Sequence, residues 1–158
     1  MRSLFRAAGW FDGRHVAVGA DVPTCHPGTA ILAELGGLAL LNPAPNVCSI
    51  AFKHVTEGAS SLAAWEAALG TKIVGIAEDD DGHGELYITQ GGRVIHCSLV
   101  HPAVSLVGST FVEAMEAIGR GDRSRPMLLP GQSDVTLYGV LFRQGDPSVL
   151  GPNALELA

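Results

Sequence analysis

The sequence predicts a soluble α+β domain, and three observations carry that reading. A short apolar helix ends at a double glycine, Gly36-Gly37, and a strand-like run over residues 38–41 follows at once. Two strand-like runs, 85–89 and 93–99, flank Gln90-Gly91-Gly92, a strong hairpin signal. A chain of 158 residues, 47% hydrophobic, is the size of one domain and can bury a proper core. Aromatics supply only 6%, so Ala, Leu and Val must do most of the filling.

Taken in order, Leu4, Phe5 and Ala8 suit one or two helical turns closed by Gly9. Trp10 and Phe11 stand beside an Asp12-Gly13 turn, and residues 14–18 alternate loosely as a short strand. Residues 21–28, with Pro23 and Pro27, lead into the helix carrying Ile31, Leu32 and Leu35. Thr24 or Thr29 is its expected cap. Left-handed backbone, which glycine adopts without penalty, lets Gly36-Gly37 reverse the chain into the sheet. Residues 42–46, with two prolines, form a turn, and 47–54 a strand. Ser60 or Ser61 starts a second helix with the stripe Leu62, Trp65 and Leu69, and Gly70 ends it. Residues 71–77 read as a buried strand and 78–82 as an acidic loop. A third helix spans about 110–118. Thr110 and Glu113 have capping-box spacing, Phe111, Met115 and Ile118 form its core face, and Gly119 and Gly121 end it. Arg123-Ser124-Arg125-Pro126 reads as a boundary, 135–142 as one more strand, and 154–158 as a frayed end.

Composition excludes several functions. The net charge is −6, and Arg120, Arg123 and Arg125 are the main basic cluster, which argues against nucleic acid as a partner. An acidic chain suits a basic partner. No apolar run is long enough to cross a bilayer, and residues 1–8 lack the apolar core of a secretory signal. Three dispersed cysteines, Cys25, Cys48 and Cys97, argue against a disulfide framework and for a reducing cytoplasm.

Chemical motifs are sparse. His83-Gly84-Glu85 matches half of the zinc deaminase signature, but Cys97 lacks the partner cysteine of the other half. Cys25, His26, Cys48, His54, His96, Cys97 and His101 lack paired ligand spacing, and His96 and Cys97 should point to opposite faces of a strand. Gly131-Gln132-Ser133-Asp134-Val135 lacks the second glycine of a nucleophile elbow. The sequence therefore predicts no catalytic residue, metal site or cofactor. One feature suits binding, the run Glu78, Asp79, Asp80 and Asp81; Glu57 and Glu85 could extend it. Its plain alternative is a solvated loop. Trp65 reads as core, and Trp10 as core or interface anchor.

Short motifs recur in a recognisable order. Ala8-Gly9-Trp10 and Gly13-Arg14 precede Glu34-Leu35-Gly36-Gly37-Leu38. Leu69-Gly70 and Gly75-Ile76 precede Leu86-Tyr87-Ile88 and Gly92-Arg93-Val94. Gly108-Ser109, Glu113-Ala114-Met115 and Gly121 complete the series. Over residues 4–122 this series resembles the SUKH superfamily of bacterial immunity proteins, related to the Smi1/Knr4 domain, and most of all its third subgroup. Leu35 stands where the family often has an aromatic residue, and Val74 where it often has proline. Residues 123–158 lie outside the resemblance as a C-terminal extension. The resemblance implies one domain with a central, mainly antiparallel sheet packed by helices. It implies structural roles for Gly9, Trp10, Arg14, Glu34, Gly36, Gly37 and Gly92. It also implies a non-catalytic, cytoplasmic immunity protein that binds a cognate toxin, often one acting on nucleic acid. A regulatory or scaffold module of the Smi1/Knr4 kind is the alternative, and a small hydrolase or metal-dependent enzyme a third reading.

Overall fold

The chain lays down its main sheet one neighbour at a time. The computed structural model describes residues 2–41, 49–101 and 103–151. Strands β1 (Ala39–Leu40), β2 (Ile50–Phe52), β3 (Ile73–Asp79), β4 (Gly84–Thr89), β5 (Val94–Ser98), β6 (Val104–Gly108) and β7 (Arg125–Pro126) follow sequence order, and every adjacent pair is antiparallel. Helices α1 (Arg2–Ala7), α2 (Pro27–Leu35), α3 (Ala59–Leu69) and α4 (Phe111–Arg120) intervene, and a separate hairpin, β8 (Asp134–Leu137) and β9 (Val140–Arg143), follows. The fold is α+β, as expected.

Strand alternation gives the sheet two apolar faces. On one, Val74, Ile76, Leu86, Ile88 and Val94 pack with Leu32 and Leu35 of α2 and Ala114 and Met115 of α4. On the other, Tyr87, Ile95, Cys97 and Val104 pack with Leu62 and Trp65 of α3 and with Met127 and Leu150. Ala103, Leu128, Val135 and Leu137 form a smaller cluster under the hairpin. Each fully buried aliphatic or aromatic side chain contributes about 1.5–3 kcal/mol of transfer free energy, so these faces hold the sheet and helices together.

The double glycine turns helix into sheet, with a division of labour the sequence did not specify. Gly36 is not left-handed (φ −50°), whereas Gly37 is (φ +82°). Gly36 is required for space: a Cβ there would lie 2.4 Å from the Leu32 carbonyl oxygen. The Gly37 amide then donates to the Phe52 carbonyl at 2.7 Å, fastening the corner to β2.

Several expectations are corrected. Neither Thr24 nor Thr29 caps α2; buried His26 does, with Nδ1 accepting from the Gly28 amide at 3.1 Å and the Lys72 carbonyl 3.2 Å from Nε2. Thr29 instead donates to the Pro23 carbonyl. Residues 14–18 form no strand, since they make no ladder; the Val16 amide bonds to Ala33 of α2. Helix α3 begins at Ala59 behind Gly58, one residue before the expected serines. Strand β3 continues through Glu78 and Asp79, which the sequence assigned to a loop. Gly119 lies inside α4, and Gly121 is its left-handed cap. Strand β6 was not anticipated. The run 135–142 is two strands, split by Tyr138 and Gly139, both at positive φ, which suits a tight hairpin. Arg125–Pro126, placed at a boundary by sequence, pairs with Ser105 and Leu106 as the seventh strand. The expected turn over 42–46, the start of the strand over 47–54, Cys48 and the end at 154–158 lie outside the described residues.

Gly37→Ala is expected to lower the unfolding free energy in urea by about 1–2 kcal/mol, the cost of a side chain in left-handed backbone. Gly36→Ala should lower it too, through the clash with Leu32. Unchanged midpoints in both variants would contradict this account of the corner.

Candidate functional site

Six of the seven residues expected to be structural, Gly9, Trp10, Arg14, Glu34, Gly36 and Gly37, meet at the corner. The Trp10 indole donates to Glu34 Oε1 at 2.9 Å. Arg14 donates through Nη1 to the Glu34 carbonyl at 2.5 Å and through Nη2 to the Gly36 carbonyl at 2.6 Å. Carbonyls in the last turn of a helix lack intrahelical partners, and a cation there also complements the helix dipole. Arg2 and Arg6 lie over the Trp10 ring, 5.7 and 5.9 Å from its centre. Gly9, at φ +100°, turns the chain from α1 toward Trp10. Gly92 lies apart, at φ +87° in the β4–β5 turn, and faces Arg14 and Glu34 across an open groove of about 880 Å³.

The acidic run does not form a single patch. Glu78 opposes Glu85 in the ladder, is half-buried and pairs with Lys53. Asp79 points to the opposite face and is only 8% exposed. Its Oδ2 lies 3.3 Å from His96 Nε2. Asp79 Oδ1 and His96 Nδ1 have no hydrogen-bond partner among the described residues. Asp80 opens the 3-10 turn Asp80–Gly82, with its side chain outside the described part. Asp81 is exposed, holds φ +56° and accepts from Ser49 at 3.2 Å.

Glu85 faces inward and does structural work. Its carboxylate accepts from the Gly58 amide at 2.8 Å, the Glu57 amide at 3.3 Å and the Tyr87 hydroxyl. It thereby caps α3, whose N-cap residue, Gly58, offers no side chain. Glu57 contributes its amide to this contact. Burial, reinforced by the Glu85 carboxylate, raises the Tyr87 hydroxyl well above its ordinary range. The same two causes push the buried Cys97 thiol up to about 11.

The strands keep the other chemical motifs apart. His83 lines a cleft on the α4 face, whereas Glu85 points toward α3. His96 and Cys97 also take opposite faces. Trp65 is core and Trp10 is half-buried at the corner. Among the described residues, no three His, Cys, Asp or Glu side chains converge as a metal site, and no helix is long and apolar enough to cross a membrane. The arrangement that sequence reasoning missed is the Asp79–His96 pair. Only the register of three strands brings its members together. No known protein family, curated protein or solved structure matches this chain.

Two outcomes follow from the Glu85 cluster. Glu85→Ala leaves two amides and a hydroxyl without their acceptor and should cost about 2–4 kcal/mol in urea unfolding; Glu85→Gln, which keeps one acceptor, should cost less. Equal losses would contradict the capping role. The raised Cys97 thiol sets a sign for alkaline pH: its contribution is complete below its ordinary value of 9.0 and is lost as pH rises toward about 11. Stability should therefore fall across pH 9–11, and Cys97→Ala should flatten that fall; the same slope in wild type and variant would contradict it.

Proposed function

We propose that this protein is an immunity protein of a bacterial polymorphic toxin system, with a SUKH-type fold, that neutralises a cognate toxin by direct binding. The observation that carries the reading is the corner. Trp10, Arg14 and Glu34 bond to one another and to backbone, and Gly36 and Gly37 turn the chain beside them. The ordered motif is therefore architectural, and recognition is left to the rest of the surface. An overall charge of −6 and an exposed Asp81 on a short turn support a basic partner, such as a toxin that acts on nucleic acid. On this reading the protein is non-catalytic, uses no cofactor and works in the cytoplasm of the producing cell.

Co-expression with the product of the adjacent gene, scored for toxicity and rescue, tests the proposal. Growth rescue with co-purification is expected; no rescue and separate purification would overturn it. Within such a complex, Asp81→Lys should slow association about two- to tenfold at low salt and flatten its salt dependence. Glu78→Lys should matter less, since Lys53 already neutralises that carboxylate. An unchanged association rate in Asp81→Lys would remove the acidic turn from the contact.

A further inference from the structure

A cleft of about 570 Å³ opens on the α4 face of the sheet, beneath the turn of the β8–β9 hairpin. This volume lies in the range of sites that enclose a side chain or small ligand. Leu86, Val107, Ile118 and Leu137 supply apolar lining. Asp79 and His96 supply the polar end, with two buried atoms that no described residue satisfies. Leaving such atoms unpaired is costly, so a polar group that draws the pair into a new hydrogen bond gains.

The strand beside this pair is kept bare. A Cβ at Gly84 would lie 2.1 Å from His96 Nε2 and 2.4 Å from Asp79 Oδ1. Any side chain there would displace the pair. At the cleft, Tyr138 is half exposed. Its hydroxyl is 2.8 Å from Ser124 Oγ, which is 2.7 Å from Ser105 Oγ. That hydroxyl chain holds the ring although Tyr138 adopts φ +55°, a conformation that side chains rarely take. The Arg123 guanidinium already lies over the ring, 5.8 Å from its centre, so the ring accepts a cation.

We infer that this cleft takes one arginine side chain of the partner protein as an anchor; the inference rests on the toxin-binding reading. The aliphatic stem lies along the apolar lining, and the guanidinium meets the Asp79 carboxylate at the polar end. Arginine fits better than lysine because its planar fork pairs with a carboxylate through two N–H donors at once. Lysine offers a compact, more strongly hydrated charge. The net charge of −6 and the exposed Asp81 draw such a residue in. Arg123 is the like-charged neighbour in the lining and opposes it.

The test uses the intact protein and a probe that needs no toxin, N-acetyl-arginine methylamide, titrated into 15N-labelled protein. Saturable shifts are expected at the amides of Gly84, Leu86, His96 and Ile118. The citrulline analogue, of the same shape but neutral, should give none, and the lysine analogue should bind more weakly. Asp79→Asn, close to isosteric, should weaken binding about tenfold or more while keeping a native spectrum. Tyr138→Ala, at an exposed position, should weaken it as well, and Arg123→Ala should tighten it. Absent shifts, shifts confined to the turn around Asp81, equal binding of citrulline, or full binding by folded Asp79→Asn would overturn the inference. If Asp79→Asn is unfolded, unchanged binding in Tyr138→Ala overturns it. Binding of the probe without co-purification of a toxin would keep the cleft and sink the immunity reading; rescue without probe binding would sink the anchor alone.

Discussion

Side-chain alternation across β3, β4 and β5 is the constraint on which the rest of the structure depends. The register pairs Glu78 with Glu85 and Asp79 with Gly84. It sends Glu85, Tyr87 and Cys97 to the α3 face, and Asp79, Leu86 and His96 to the α4 face. A slip of one residue would put the Glu85 carboxylate among the apolar side chains around Met115 and leave α3 uncapped. One register thus decides where α3 starts, how the Cys97 thiol titrates, and which carboxylates stay exposed.

A β-bulge makes that register hard to foresee. Val74 pairs with Ile88 and Ala77 with Leu86, so Ile76 is accommodated as an extra residue between Gly75 and Ala77. Plain alternation from Val74 would send Glu78 toward α4 and Asp79 toward α3. The bulge reverses both. Composition shows an acidic run; it cannot show that the run is divided between two faces.

Legibility elsewhere follows the range of the interaction. Local signals were readable. Thr110 accepts from the Glu113 amide at 3.2 Å, and Glu113 answers at the Ser109 amide at 3.1 Å, close to the capping box its spacing suggested. The Gly91-Gly92 hairpin and the Leu62, Trp65 and Leu69 stripe were readable for the same reason. Long-range partners were not. His26 caps α2 while contacting the Lys72 carbonyl, 46 residues away in sequence. Strand β6 is Val-Ser-Leu-Val-Gly, short and closed by glycine, and becomes a strand by lying between β5 and β7. The hairpin at Tyr138 places a bulky side chain where turn chemistry favours Asn or Gly, which hid the break. The motif residues at the corner stand out in the sequence, but their bonds to one another emerge only when α2 and the N-terminal segment meet.

On the proposed reading, a corner builds the fold, and a surface around the acidic turn and the cleft recognises a protein. Hydrogen–deuterium exchange of the chain, free and bound to the proposed toxin partner, tests that division most directly. The account predicts added protection over residues 79–86 and 123–138 and none over residues 10–38. Protection confined to residues 10–38 would contradict it.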